Sequence, residues 1–363
     1  RQRQPRPQEP SDRDADCEFV ALVRRAQQAE ADVRRRLGAR ELAGTGIDVF
    51  CGDARFVAPD GVEVEGARVA FRRAILATGG APPKEEIAAA RTAGFLTEES
   101  LLELTCLPGR LAIVGVGPSQ CAWAQTFRRL GSQVHLLGRH AAILPDEHPE
   151  AARSVQARLA AEGVCLHLGC DVVPERAGKS HAVLIRRGQR QEKLFVDDIL
   201  VECSRRPRVG GLDLASAGVA CSEQGVLVED TLRTSNRRVF AVGEVCGPEF
   251  SSPPAAETMA RLAVRNALGW TARRFNRLLV PRCVDTDPQV VRIGLTAQQA
   301  AVEQLRINTY RAEMSGAQGA VLDRQEAGFA EVHVRSRSGR VVGATIVAHH
   351  DANSYNTTRP PTC

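Results

Sequence analysis

The stretch RLAIVGVGPSQCAWAQTFRRLGSQVHLLGR, residues 110–139, decides the fold. It opens with an apolar run that reads as a strand, turns at Gly115-Val116-Gly117, continues through a helix-like segment and closes on a second apolar strand. The pattern continues downstream. A helix is expected over Glu150–Glu162, a strand over Val164–Leu168, two hairpin-like runs after it, and a strand over Asp198–Cys203. This alternation predicts an α/β unit with a mostly parallel sheet and helices on its faces.

A glycine pair between a strand and a helix has a specific use. The first glycine permits the tight turn, and the second lets backbone N–H groups approach a diphosphate at the positive end of the helix. Gly115, Val116, Gly117, Pro118 and Ser119 are therefore the candidate diphosphate-binding residues, with an ordinary strand-to-helix turn as the alternative. Two positions depart from the full dinucleotide pattern. Gln120 stands where a third glycine would let helix and strand pack closely, so the helix is expected to be pushed outward. The next strand ends in Gly138-Arg139, without the acid that would hold the ribose of NAD. Arg139 can instead pair with a 2′-phosphate, which favours NADP over NAD; the other reading is a solvated surface arginine.

Working outward, residues 1–16 read as a flexible, solvated tail, because Arg, Gln, Pro and Asp mix there without apolar periodicity. A nucleic-acid arm is the alternative, against which stand the interleaved acids and the lack of aromatics. Cys17–Leu37 has the spacing of one amphipathic helix. Runs at Ile47–Cys51, Arg55–Ala58, Val62–Val64 and Val69–Leu76, with the turn Pro59-Asp60-Gly61, read as an antiparallel meander closed by the loop Thr78–Pro83. NRRVFAVGE reads as a buried strand ending at Glu244, and Pro254–Leu268 as a helix started by proline. Strands at Val290–Ile293, Gly328–Val334 and Val341–Ala348 around a helix at Thr296–Gln304 form an α+β C-terminal unit.

Composition narrows the class. With 25% charged and 43% apolar residues, the chain has the balance of a globular protein, and no apolar run is long enough to span a bilayer. The net charge of +5 is small for 363 residues and argues only weakly for acidic partners; no membrane or nucleic-acid partner is expected, with an Arg-rich RNA-binding surface as the weaker alternative. Eleven cysteines without a Cys-x-x-Cys pair fit a reducing, cytoplasmic setting. The first residue is not Met, from which an incomplete or processed N-terminus is expected. Cys165 and Cys170 have the spacing of a redox pair, but both fall on what reads as one strand, whose extension keeps them too far apart for a bridge. His349-His350-Asp351 reads as a solvated chain end rather than a metal site.

From about Ile47 to Ala348 the chain resembles the pyridine nucleotide-disulfide oxidoreductases, the mercuric reductase and dihydrolipoamide dehydrogenase branch in particular. The matching pieces are GDARF (52–56), AILATGG (74–80), residues 107–139, RRPRVGGLDLASAGV (205–219), TLRTSNRRVFAVGEVC (231–246), ARLAVRNAL (260–268), TDPQVVRIGLT (286–296) and GATIVA (343–348), in the family's order. The resemblance implies tandem Rossmann-like FAD- and NAD(P)-binding domains, the FAD domain incomplete, and an α+β dimerisation domain. Residues 17–80 with 207–275 would form the partial FAD-binding domain, 81–206 the NAD(P)-binding domain and 276–352 the dimerisation domain, with 353–363 a tail. It further implies FAD beside Ala54, Thr78, Gly79, Gly243 and Glu244. Glu244 stands for an aspartate that holds the flavin's ribityl chain, or is a solvated strand-end acid. The N-terminus of the helix near Pro254 would face the flavin ring. A homodimer and a small-molecule, disulfide or metal-ion substrate follow from the same resemblance. The expected departures are the FAD glycine turn, the redox disulfide, the C-terminal His-Glu pair, and Ala122 in place of a glutamate near the hydride path. Two functions are therefore open: a flavin-dependent NAD(P)H oxidoreductase, complete or impaired, and a non-catalytic nucleotide-binding or dimerising relic.

Overall fold

The computed structural model describes residues 12–177, 180–269, 272–275, 280–316 and 327–349. The first helix, α1 (Asp12–Arg36), begins five residues before the apolar spacing marks it, so the expected tail is helical from Asp12 on. It seats Phe19 and Val23 in the main core, where the Phe19 ring lies 6.4 Å from that of Phe127. A short helix α2 (Ala39–Gly44) follows, and then a meander of β1 (Ala54–Ala58), β2 (Gly61–Val64) and β3 (Ala67–Ala70).

Two expectations fail here. Ile47–Cys51 forms no strand; its alternation finds no neighbour to pair with, and Ile47 and Phe50 stay exposed. The run Val69–Leu76 divides into β3 and β4 (Ala74–Leu76), which belong to different sheets. Phe71 N–H donates to Asp60 O and closes the meander, after which Arg72-Arg73 interrupts the apolar pattern. A two-residue strand β5 (Gly80–Ala81) and α3 (Lys84–Ala93) lead into the next layer.

That layer is a four-stranded parallel sheet in the order β12-β6-β7-β8, made by β6 (Arg110–Val114), β7 (Gln133–Leu137), β8 (Cys165–His167) and β12 (Asp198–Val201). Between β6 and β7 runs α4 (Pro118–Leu130). It starts with proline at its first turn and stops at Gly131, whose φ of +113° suits glycine. Between β7 and β8 runs α5 (Pro149–Ala161). Leu111, Ile113, Val134 and Leu136 from the strands meet Ala124, Phe127, Val155 and Leu159 from the helices in one core. The two hairpin-like runs are β9 (Asp171–Ala177), β10 (Ser180–Arg187) and β11 (Arg190–Val196), an antiparallel sheet beside it.

The chain then returns. β13 (Arg206–Pro207) pairs with β5, β14 (Cys221–Ser222) with β15 (Gly225–Val226), and β16 (Val239–Ala241) lies parallel to β4. The strand expected to reach Glu244 stops at Ala241, and Gly243–Cys246 is a 3-10 turn. Helix α6 (Pro253–Leu268) is capped by Ser252, whose Oγ accepts from Ala255 N–H. The C-terminal unit is a five-stranded antiparallel sheet in the order β17-β18-β21-β20-β19, from β17 (Pro281–Val284), β18 (Gln289–Gly294), β19 (Ile307–Glu313), β20 (Phe329–Arg335) and β21 (Val341–Ala348), with α7 (Ala297–Val302) after β18. Val284, Val290, Phe329 and Val347 of this sheet join the same core as α1 and the parallel sheet. Among the described residues no helix is long and apolar enough to cross a membrane.

Candidate functional site

The glycine turn stands at the carboxyl end of β6, where open parallel sheets collect ligands. Gly115 N–H donates to Leu137 O at 2.9 Å, tying the turn to the neighbouring strand. Its φ of +122° is a conformation that side-chain-bearing residues rarely adopt. A Cβ there would stand 2.9 Å from Gln120 Cγ and 3.1 Å from Glu202 Oε2. At Gly117 a Cβ would stand 2.9 Å from Gln120 Oε1. Gln120 is buried and turns back against both glycines. The expectation that it pushes the helix outward is not met: Cys121 and Ala124 of α4 remain fully buried against the sheet, because the glycines leave room for the longer side chain.

Above the turn lies an open cleft of about 520 Å³. Gly115, Val116, Gly117, Pro118 and Arg139, all foreseen from sequence, line it together. Sequence reasoning missed His140, Asp146, Glu147, Glu202 and Arg282, which complete its charged and titratable lining. Arg139 pairs with Asp171 at 3.1 Å, with both side chains largely exposed, so a phosphate can readily displace that carboxylate. Arg282 arrives from β17 in the C-terminal sheet. Glu202 follows directly on the apolar β12; an acid at the end of a parallel strand was the signal that could have identified it.

The cleft floor is bolted to the C-terminal sheet. Glu147, one of the lining residues, accepts from Arg292 Nε at 2.8 Å, and both side chains are almost wholly buried. Arg292 also donates to Asp146 O at 3.3 Å and to Gly294 O at 3.2 Å, so its remaining N–H groups are used.

Ser119 faces a second cavity of about 230 Å³, shared with Glu98, Glu99, Cys203, Arg205 and Glu244. The Glu244 carboxylate is 8% exposed and accepts from Arg205 Nε at 2.8 Å and Nη2 at 3.0 Å. It also lies so close to Gly80 that a Cβ there would overlap its Cδ at 2.4 Å. Glu244 is thus an ion-paired, buried acid, and the solvated alternative does not hold. Burial, with Glu99, Glu86, Glu98 and Glu202 around it, raises the Cys203 thiol above its ordinary value, which keeps it from acting as a thiolate.

The other foreseen residues stand away from both cavities' linings. Ala54 begins β1 opposite Val64. Thr78 Oγ1 donates to Arg208 O at 2.8 Å, and Gly79, with φ +69°, accepts from Arg208 N–H. Gly243, with φ +72°, abuts Ala256 of α6. Cys165 and Cys170 are both free thiols. Cys170 lies beyond the end of β8 in a turn, not on the strand, and its Sγ donates to His167 O at 3.2 Å. His349 hydrogen-bonds Asp287 through Nδ1, so it is not a loose chain end; His350 and Asp351 lie outside the described residues. Among the described residues no group of His, Cys, Asp and Glu is arranged to hold a metal ion.

Comparison with known proteins adds an independent line. The family model described as pyridine nucleotide-disulphide oxidoreductase matches residues 9–263, and that of its dimerisation domain matches residues 280–357. A mercuric reductase of Staphylococcus aureus is 30% identical over 84% of this chain and 56% of its own length. A glutathione reductase of Burkholderia cepacia is 29% identical over 88% of this chain and 70% of its own. The chain spans only 53% to 62% of the first three relatives, all mercuric reductases. An HOCl-induced flavoprotein disulfide reductase from Escherichia coli superposes with a TM-score of 0.78 at 25% identity, over 95% of this chain and 80% of that one.

Proposed function

Because the chain belongs to the pyridine nucleotide-disulphide oxidoreductase family, we propose that its cleft at Gly115–Gly117 binds a nicotinamide dinucleotide in a flavin-dependent NAD(P)H oxidoreductase. The observation that carries this reading is the cleft itself, about 520 Å³ and open at the carboxyl ends of two parallel strands, over a glycine turn that starts a helix. Backbone N–H groups of Val116, Gly117 and Ser119 bind the diphosphate; Gly115, whose own N–H is used by Leu137 O, permits the close approach, and Pro118 has no N–H and fixes the first turn of α4. Arg139 and His140 hold a 2′-phosphate, which makes NADP the favoured dinucleotide and NAD the alternative.

FAD is the second cofactor, on the side formed by Ala54, Thr78, Gly79, Gly243 and Glu244. The Glu244 carboxylate keeps free lone pairs beyond the two that Arg205 uses, and so can still accept from a ribityl hydroxyl. When bound, the dinucleotide supplies hydride and the flavin passes its electrons on. In this reading residues 81–206 are the nicotinamide domain, 17–80 with 207–275 the flavin domain, and 276–352 a dimerisation domain that pairs two copies. A disulfide or metal ion is the acceptor, cytoplasm the setting.

A purified sample tests this directly. Added FAD should be retained and its visible absorbance bleached by NADPH; a colourless protein that retains no FAD contradicts the flavin half. A second reading, a nucleotide-binding module without turnover, is favoured by Ala122 in place of an acid and by the tying of Glu244 to Arg205. It expects NADPH to bind without diaphorase activity, and clear turnover rejects it.

A further inference from the structure

Glu202 occupies an unusual place for an acid. Its Oε2 lies 3.1 Å from where a Cβ on Gly115 would stand, so the carboxyl group borders the turn that would receive an anionic diphosphate. It lines both the 520 Å³ cleft and the 230 Å³ cavity, and is the residue at their junction. Three nearby cations are engaged elsewhere, Arg205 with Glu244, Arg139 with Asp171 and Arg292 with Glu147, while Arg282 is a further cation in the cleft lining. Among the described residues, Glu202 itself takes part in no ion pair. Burial raises its pKa above the ordinary carboxylate value, and Glu98 raises it further.

Resting on the reading of the cleft as a nucleotide site, we propose that Glu202 makes dinucleotide binding proton-linked: the neutral carboxyl group accepts the diphosphate beside it, and the carboxylate repels it. Binding then takes up as much as one proton where Glu202 is ionised in the free protein. The groups facing Glu202 are Glu98 and Glu99 from the 3-10 turn Glu98–Glu103, Cys203 next to it beyond the end of β12, the ion-paired Arg205 and Glu244, and the neutral Gln120 and Ser119 from α4. The other charged or titratable residues of the cleft lining are Arg139, His140, Asp146, Arg282 and Glu147, the last paired with Arg292. His140 lines the same cleft, so the pH dependence of the native protein alone does not identify the group. Glu202→Gln does.

The sign follows from linkage. Bound anion favours the protonated acid, so affinity is flat below the free protein's Glu202 pKa and falls above it by up to about tenfold per pH unit. That fall begins above the ordinary value of 4.5 because the pKa is raised. Calorimetric titration with ADP-ribose, which has the diphosphate but no titrating 2′-phosphate, should show this fall and a proton uptake in buffers of different ionisation enthalpy. Glu202→Gln should bind at least tenfold more tightly than the native protein at pH 8 and lose the steep part of the profile. Glu98→Gln, a change at an exposed residue, should move the native profile to lower pH. An unchanged profile in both variants, or binding without proton uptake, overturns this inference and leaves the nucleotide reading standing. Failure of ADP-ribose to bind at any pH overturns both.

Discussion

Arg292 and Glu147 bring opposite charges into a place that water hardly reaches, with 6% and 5% of their side chains exposed. Each is tolerable there only with the other. Arg292→Met leaves a buried carboxylate uncompensated and should cost about 3–5 kcal/mol, a large share of a domain's stability. Adding Glu147→Gln should restore much of it; a denaturant midpoint that Arg292→Met leaves unmoved would contradict the account. Gly115 makes a different kind of demand. At φ +122°, with Gln120 Cγ 2.9 Å from a new Cβ, Gly115→Ala should strain the turn by about 1–3 kcal/mol and weaken NADPH binding. Equal NADPH affinity in the folded variant would show that the turn does not touch the nucleotide. The glycines were legible in sequence because a strand ends and a helix begins around them. Arg282 was not, because what gives it meaning is the C-terminal sheet folded against the cleft, whereas Glu202 carried a signal in its place just after β12.

Among the elements, the segment between β17 and β18 is held against α4 and α5 by side chains far apart in sequence. Asp287 Oδ2 receives Arg129 Nη2 at 2.6 Å, while Gln125 exchanges two hydrogen bonds with the Asp287 backbone. Burial pushes the Asp287 carboxyl pKa up, but hydrogen bonds from Arg129 and His349 outweigh it and hold the value below 3.8. A depressed carboxyl pKa stabilises the fold above the unfolded value and loses that contribution as pH falls through the folded one. Asp287→Asn should therefore cost about 1.5–3 kcal/mol at pH 7 and nothing once both proteins are below the folded value. Urea midpoints at pH 7 and in strong acid check it, and a difference that persists undiminished in acid would be wrong for this mechanism. The β6-α4-β7 crossover was readable because its apolar period changes at the glycines. Ile47–Cys51 misled because alternation records only a preference for extended chain, while a strand also needs a neighbour. The exposed edge strand β19, INTYRAE, escaped notice for the converse reason: its pairing with β20 compensates for a polar sequence.

For the whole molecule, one core runs from α1 through the parallel sheet into the C-terminal sheet, and Arg282 and Arg292 extend that continuity to the cleft. The match to a dimerisation domain over residues 280–357 leads to the expectation of twice the single-chain mass of 39.2 kDa in sedimentation equilibrium at micromolar concentration. A single-chain mass there would oppose the proposed homodimer. Fold class was visible in residues 110–139 alone, whereas the joining of cleft to C-terminal sheet required the tertiary structure. The most direct test of the nucleotide site is amide hydrogen exchange with and without saturating NADPH. Slowed exchange confined to the segments 114–120 and 138–147 is the expected result; unchanged exchange there, or protection appearing only elsewhere, would contradict it.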